Sequence, residues 1–350
     1  MISYVEIKDK YTLKSVGLVE PQECWFELSY QDVGEFEVYC KATSSSLALL
    51  QKGRYVKIPN KRFIWVITSV RYTFTAGGAR MIIAKGYEAK WLLKKRCMLT
   101  PVALDGTISS AIYWLVDNAL GTKATAARKI EGFTVDTNNV PINIKARQTP
   151  RRNLLEYTTD MLKTYGGGAI VEFENGKLKY RVFAGVNRTQ SVRFSQSLDN
   201  LLSSEYLTDD ANIATSVLVV SKVDEVDYTQ TYDTGATGID RAEIIADVDL
   251  SSKFENADGT EQETTPTSEQ FKGWQIEEGK TALASHITIE EVNGEIDIAS
   301  SIYNFDEDFF LGDTVRVQDE YFNFFVDKKI TKYTFKQDAT SYGEEAEYGG

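Results

Sequence analysis

The chain has one histidine, three cysteines and six prolines among its 350 residues. A Ser-His-Asp or Cys-His nucleophile would have to use His286, which stands in TALASHITIE at an expected helix-to-strand junction, and no GxSxG is present. Cys24, Cys40 and Cys97 contain no CxxC pair and make an odd total, so neither a disulfide framework nor a zinc spacing is readable. Lys and Arg number 39 against 51 Asp and Glu, a net charge of −12, which argues against a duplex-binding surface. The densest basic cluster, Lys90, Lys94, Lys95 and Arg96, reads as the solvated face of a short helix. No apolar run approaches the ~20 residues of a membrane span. The first residues, MISYVEIKDK, form no signal-peptide core, so folding in a cytoplasm with reduced thiols is expected.

Other motifs also fail. In YNFDEDFFLGD, Asn304, Asp306 and Asp308 alternate, but an EF-hand would need Gly and Glu where Phe309 and Val315 stand. Gly166 to Gly168 lead into a strand, not a helix, so they form no dinucleotide turn, and no P-loop exists. The acidic pairs Glu277-Glu278 and Glu290-Glu291 are the remaining candidates for carboxylate catalysis, and an acidic chain places such pairs on solvated faces. No catalytic, cofactor-binding or metal-binding residue is assigned, and no enzyme activity is expected.

What the chain does have is alternation and aromatics, 19 Tyr and 17 Phe. Period-two runs at 23–28, 35–40, 54–58, 62–74 and 80–85, with turn signals such as Gly77-Gly78, predict a small antiparallel barrel or sandwich. A symmetric hairpin register places Leu28 opposite Phe36 and Cys24 opposite Cys40. Helical spacing follows at 108–119, with Thr107 as N-cap and Gly121 as C′ residue. A second helix begins near Pro150, with Leu154, Leu155, Thr158, Met161, Leu162 and Tyr165 inward. Asn175-Gly176 predicts a hairpin in AIVEFENGKLKYRVF. Strands resume at 191–194, 213–222 and 226–232. A helix is expected over 268–284 and a hairpin at Asn293-Gly294. Strands at 313–318 and 322–335 and a frayed acidic tail complete the reading.

Two segments echo each other. In 53–74 and 312–335, Gly53 aligns with Gly312, Val56 with Val315, Phe63 with Phe324, and Tyr72-Thr73-Phe74 with Tyr333-Thr334-Phe335. Two related β-domains in one chain are the expected meaning.

The run RNLLEYTTDMLKTYGGGAIVEF, the turn Gly185 to Thr189, the segment VRFSQSLDNLLSSEY and the step Leu311-Gly312-Asp313 resemble the tail-hub proteins of long-tailed bacteriophages. These include baseplate hubs and the N-terminal part of tail-associated lysins. The resemblance implies a mostly β, α+β chain: two related small β-barrels flanking an α+β domain, with a further small inserted domain. The expected boundaries are 1–98 for the first barrel, 99–190 for the α+β domain, and 191–232 with 311–340 for the second barrel. The inserted domain would span 233–310 and the tail 341–350. The resemblance further implies a homotrimer in the virion tail tip, assembled in the host cytoplasm. Its expected partners are a sixfold distal tail or tube protein, a tip or fibre protein and the tape measure protein. Sequence-specific nucleic-acid binding is not expected. The chain stops soon after Phe335, so a hub without a lysin extension is expected. In 185–206, Arg188, Thr189, Asp199 and Asn200 are expected to supply turn and backbone hydrogen bonds at a domain junction. The competing classes are a cell-wall hydrolase and a glycan-binding adhesion module.

Overall fold

A computed structural model describes residues 1–74, 80–136, 138–256, 259–262, 265–296, 301–321 and 324–349, the side chains at 290, 291, 293 and 324 excepted. The predicted Gly77-Gly78 turn therefore lies outside the described residues.

The first stretch holds β1 (Val5–Lys8), β2 (Ser15–Val19), β3 (Glu23–Ser29), β4 (Glu35–Lys41), α1 (Ser44–Leu49), β5 (Tyr55–Lys57), β6 (Trp65–Phe74) and β7 (Arg80–Glu88). The middle holds β8 (Ala103–Leu104), α2 (Ile108–Leu120), β9 (Phe133–Val135), β10 (Arg147–Gln148), α3 (Leu154–Tyr165), β11 (Gly168–Glu174) and β12 (Lys177–Phe183). Then come β13 (Arg193–Ser195), β14 (Ser203–Asp209), β15 (Ser216–Val223), β16 (Val226–Asp233), β17 (Glu243–Asp247) and α4 (Ser268–Leu283). The chain continues as β18 (Ile289–Ile296), β19 (Thr314–Asp319), β20 (Phe324–Gln337) and β21 (Tyr342–Gly349). The fold is mostly β with a few helices.

Most of the strands expected in two separate barrels lie in one thirteen-stranded sheet, ordered β14-β18-β21-β20-β3-β4-β7-β6-β5-β1-β2, with β19 beside β20 and β13 beside β19. β20 joins the halves. Its first half pairs with β19 and its second half with β3, while β21 runs along its other side. One core accordingly mixes Phe26, Phe36 and Trp65 with Phe305, Tyr333 and Phe335.

The halves repeat each other more closely than the sequence shows. Gly53 and Gly312 both have positive φ, +85° and +80°. Gly53 N donates to Ile67 O and Gly312 N donates to Ile330 O, each at 2.7 Å. Both long strands then bulge at that residue, between Ile67 and Ser69 and between Ile330 and Lys332. Ile67 and Ile330 are therefore equivalent, and the Gly and Val positions of the echo stand. Its Tyr-Thr-Phe positions move by two: Phe335 matches Tyr72, not Phe74. Burial reflects different surroundings, since Tyr72 and Phe74 are 49% and 62% exposed and Tyr333 and Phe335 are 1% and 0% exposed. The sequence alignment placed the extra residues in the turn and could not see the bulge. The echo's Phe324 has a side chain outside the described set.

Following the ladders outward extends the match. Val70 and Tyr333 face Ala84 and Ala346, which face Val38 and Gly294, which face Cys24 and Ser204. Thus β14 is the counterpart of β3, and β18 of β4.

The β3–β4 register differs from the expected one by two residues. Phe26 lies opposite Phe36 and Cys24 opposite Val38. Beyond Glu27 the turn is held by a buried ion pair from later in the chain. Ser29 N donates to Glu88 Oε2 (3.0 Å), Lys90 Nζ donates to Ser29 O (2.6 Å), and Lys90 pairs with Glu88 Oε1 at 2.8 Å. Lys90 is thus buried, against its expected place on a solvated face. A shift of two keeps the same face inward, so Cys24 and Cys40 remain in the core. Burial pushes their thiols up to about 12 and about 11, leaving them unreactive.

Four further elements differ from expectation. Asn293-Gly294 lies inside β18, paired on both sides, and a Cβ on Gly294 would stand 2.7 Å from Leu201 Cδ1, so the glycine serves close packing rather than a turn. The expected frayed tail is β21: Ala346 and Tyr348 enter the core, and Glu344 accepts from Tyr342 Oη at 2.7 Å. Pro150 precedes α3, whose cap is Asn153, accepting from Leu155 N at 3.1 Å. Gly121 follows α2 at φ −90°, outside the left-handed region expected of a C′ glycine. The Asn175-Gly176 hairpin forms as predicted, both residues having positive φ.

The inserted region also has different limits. β15, β16 and β17 form their own sheet and α4 packs on it, so 216–233 belongs with 243–283 and not with the second half of the main sheet. Conversely β18, expected in the insertion, pairs with β14 and β21. The insertion thus leaves from the end of β14 and returns at the start of β18, where the first half has the simple β3–β4 turn.

Candidate functional site

Residues 185–200 run along β19, where the main sheet, the middle unit and the β18–β19 connection meet. Asp313 anchors them. It is buried and accepts from Val186 N (2.7 Å), Arg188 Nε (2.6 Å) and Phe310 N (3.0 Å). Arg188 N donates to Thr314 O at 2.8 Å, and Arg188 O accepts from Ser191 and Val192. Thr189 donates to Asn187 Oδ1 through both N and Oγ1. Asp199 takes a left-handed conformation, φ 52°, and buried Asn200 clasps the turn by accepting from Ser195 N and donating to Arg193 O, both at 2.9 Å. The four residues singled out in this stretch do supply turn and backbone bonds, and Arg188 adds an ion pair.

The residue that sequence reading missed is Tyr30. Its hydroxyl donates to Gly166 O (2.9 Å) and accepts from Gly185 N (3.3 Å). A Cβ on Gly312 would lie 2.2 Å from the Tyr30 ring, and one on Gly185 would lie 1.6 Å from Gly312 O. Only glycine lets these backbones meet around the ring. Asp313→Ala is expected to cost about 2–4 kcal/mol, because it orphans two partly buried N–H groups as well as breaking the ion pair. Chemical denaturation measures it, and a loss below about 0.5 kcal/mol would contradict this role.

Of the two acidic pairs, Glu277-Glu278 is built around an arginine. Glu277 and Glu278 are buried around Arg147, which is fully enclosed. Arg147 donates to Glu277 O and Thr281 Oγ1, both at 3.0 Å, and stands 3.7 Å from each carboxylate. The group ties α4 to β10 and α3. Burial pushes Glu278 up to about 7, with Arg147 opposing. The side chains of Glu290 and Glu291 lie outside the described residues. His286 Nδ1 lies 2.9 Å from Ala282 O at the end of α4. Asp306 pairs with Arg62 (2.5 Å), tying the loop to the first half, and Asp308 accepts from Asn304 N (2.8 Å) within it. Among the described residues no group of three His, Cys, Asp or Glu is placed to hold a metal, and no helix is long and apolar enough to cross a membrane.

Both halves contribute to the solvent face of the main sheet. Alternation puts Glu23, Glu27, Glu35, Glu37, Glu345 and Glu347 there, with Lys41, Lys85, Lys332 and Lys336. Shallow depressions across it are lined by Glu27, Glu205, Glu295, Glu345 and Glu347. Burial pushes Glu27 up to about 7; Lys332 opposes this, and Glu347, Glu88 and Glu35 add to it. This is an acid-biased β surface.

The profile of a family described as siphovirus ReqiPepy6 Gp37-like protein matches residues 5–349. The search of curated proteins returned no match. Among solved structures, the 43 kDa tail protein of prophage MuSo2 from Shewanella oneidensis aligns at TM-score 0.55 and 10% identity, over 99% of this chain and 97% of that one. A tail protein from Neisseria meningitidis MC58 aligns at TM-score 0.52 and 12% identity, over 99% and 96%. At such identities these two establish a shared fold. With the profile spanning nearly the whole sequence, the chain belongs to the siphovirus ReqiPepy6 Gp37-like family.

Proposed function

We propose that the chain is a structural hub of the tail tip, three copies forming a ring that joins the tail tube to distal components and lets DNA pass. The repeat carries this reading. Each chain contributes two β units bulged at the same place, Ile67 and Ile330, so a trimer presents six similar β units to a sixfold tube. The partners are then a sixfold distal tail or tube protein on one face, a tip or fibre protein on the other, and the tape measure protein along the axis. The site of action is the virion tail tip, after assembly in the host cytoplasm.

In this ring the solvent face of the main sheet lines the channel. Its carboxylates repel the polyanionic genome, so DNA slides without the counterion-release binding that a basic wall would create. The chain acts as a scaffold and not as an enzyme, in keeping with Glu277 and Glu278 being spent on Arg147. Mass photometry and negative-stain imaging at rising concentration test the ring. The expected result is a threefold annulus, and a dimer as the sole assembly would overturn it.

A further inference from the structure

Two sheet edges in this chain occupy equivalent places to strands that pair inside it. At the junction of the halves, β20 pairs with β3 and Phe335 lies opposite Phe26. The counterpart of β20 is β6 and the counterpart of β3 is β14. Among the described residues, β14 stands at the end of the sheet and pairs with β18 alone, and β6 beyond Ile67 pairs with β7 alone. The same junction can therefore form once more between molecules.

We infer that β6 over residues 70–74 pairs antiparallel with β14 over residues 204–208 of a second copy of this chain, with Tyr72 opposite Tyr206. The register follows from the internal pairing without adjustment. Phe335 corresponds to Tyr72 through the shared bulge, and Phe26 corresponds to Tyr206 through the ladder from Ala84 and Ala346 to Cys24 and Ser204. Val70 then faces Thr208 and Phe74 faces Ser204, as Tyr333 faces Leu28 and Gln337 faces Cys24.

Side chains support this partner. Tyr72, Phe74 and Tyr206 are 49%, 62% and 50% exposed on the face that is core elsewhere in the sheet. Edge strands are usually blunted against pairing, yet 70–74 carries aromatics and no proline. On the opposite face Arg71 falls opposite Leu207, with Glu205 and Asp209 of the neighbour diagonal to it, a charge match across the seam. The contact is heterologous, so each copy offers one edge of each kind. Repetition gives either a closed ring or an open filament.

The inference rests on the ring reading and adds its seam. The test uses the full chain with Cys97→Ser, carrying Tyr72→Cys together with Tyr206→Cys, oxidised mildly at high concentration. The expected result is reducible dimers and a closed trimer, with crosslinking lost in the out-of-register combination Phe74→Cys with Thr208→Cys. Unchanged circular dichroism and thermal unfolding of both variants guard against misfolding. A trimer in solution without the Tyr72–Tyr206 crosslink overturns this seam and leaves the ring standing. A chain that stays monomeric and uncrosslinked overturns both. Self-crosslinking of Tyr72→Cys alone shows a symmetric β6–β6 contact and also overturns the seam.

Discussion

Replacing Arg147 with alanine is expected to cost about 3–5 kcal/mol and to loosen α4 from the middle unit, because buried Glu278 loses its cation and Glu277 keeps only Lys280. The loss should depend on pH. Burial holds Glu278 up to about 7 from 4.5, with Arg147 opposing. A carboxyl raised in this way contributes stability that is complete below 4.5 and is lost as pH rises through about 7. Without Arg147 the charged form loses its partner, so the deficit grows between pH 5 and pH 8. At the acid end Glu278 is neutral in both proteins, and what is missing there is the Arg147 hydrogen bonding to Glu277 O, Thr281 and Tyr165 and its contact with Glu277. Urea titrations at the two pH values, with hydrogen exchange of α4, measure this. An equal loss at both would show that Arg147 acts by packing alone.

Phe335→Ala is expected to cost a similar ~3–5 kcal/mol. Phe335 is fully buried, packs near Phe63, Phe305 and Tyr333, and lies opposite Phe26. It stands on the strand that both halves share, so the cavity opens at their junction and the two halves should unfold together. Tyr72→Ala, at the equivalent place in the other half, should change the monomer by no more than about 0.5 kcal/mol, since it is a surface substitution there. Denaturation at low protein concentration compares the two. Equal losses would contradict the different roles assigned to these equivalent positions.

Local rules made some elements legible. Alternation marks β3 and β4, the Asn175-Gly176 turn fixes a hairpin, and Thr107 caps α2 with its side chain accepting from Ser110 N. Residues whose roles are set by distant parts of the chain were not legible. The β3–β4 register depends on Glu88 and Lys90, far along the sequence, so the strands alone suggested a pairing two residues off. Gly294 and Asn293 carry the dipeptide of a turn, yet Leu201 explains the glycine. Acidic density hid the period of two in β21. At the junction, Arg188 and Asn200 were visible because they bond nearby backbone. Tyr30 was invisible because it binds glycines at 166 and 185, and neither strand nor turn chemistry around it signals that.

The shared strand also dictates an order of events during synthesis. β3 leaves the ribosome long before its partner β20, with the middle unit and the insertion between them. Until then Phe26 and Leu28 have no neighbours from the second half, and one edge of the nascent sheet stays open. The middle unit and the insertion, whose contacts are more local, can fold while that edge waits. Completion of the sheet therefore waits for β20, and a product terminated before it would keep an exposed aromatic edge that favours aggregation.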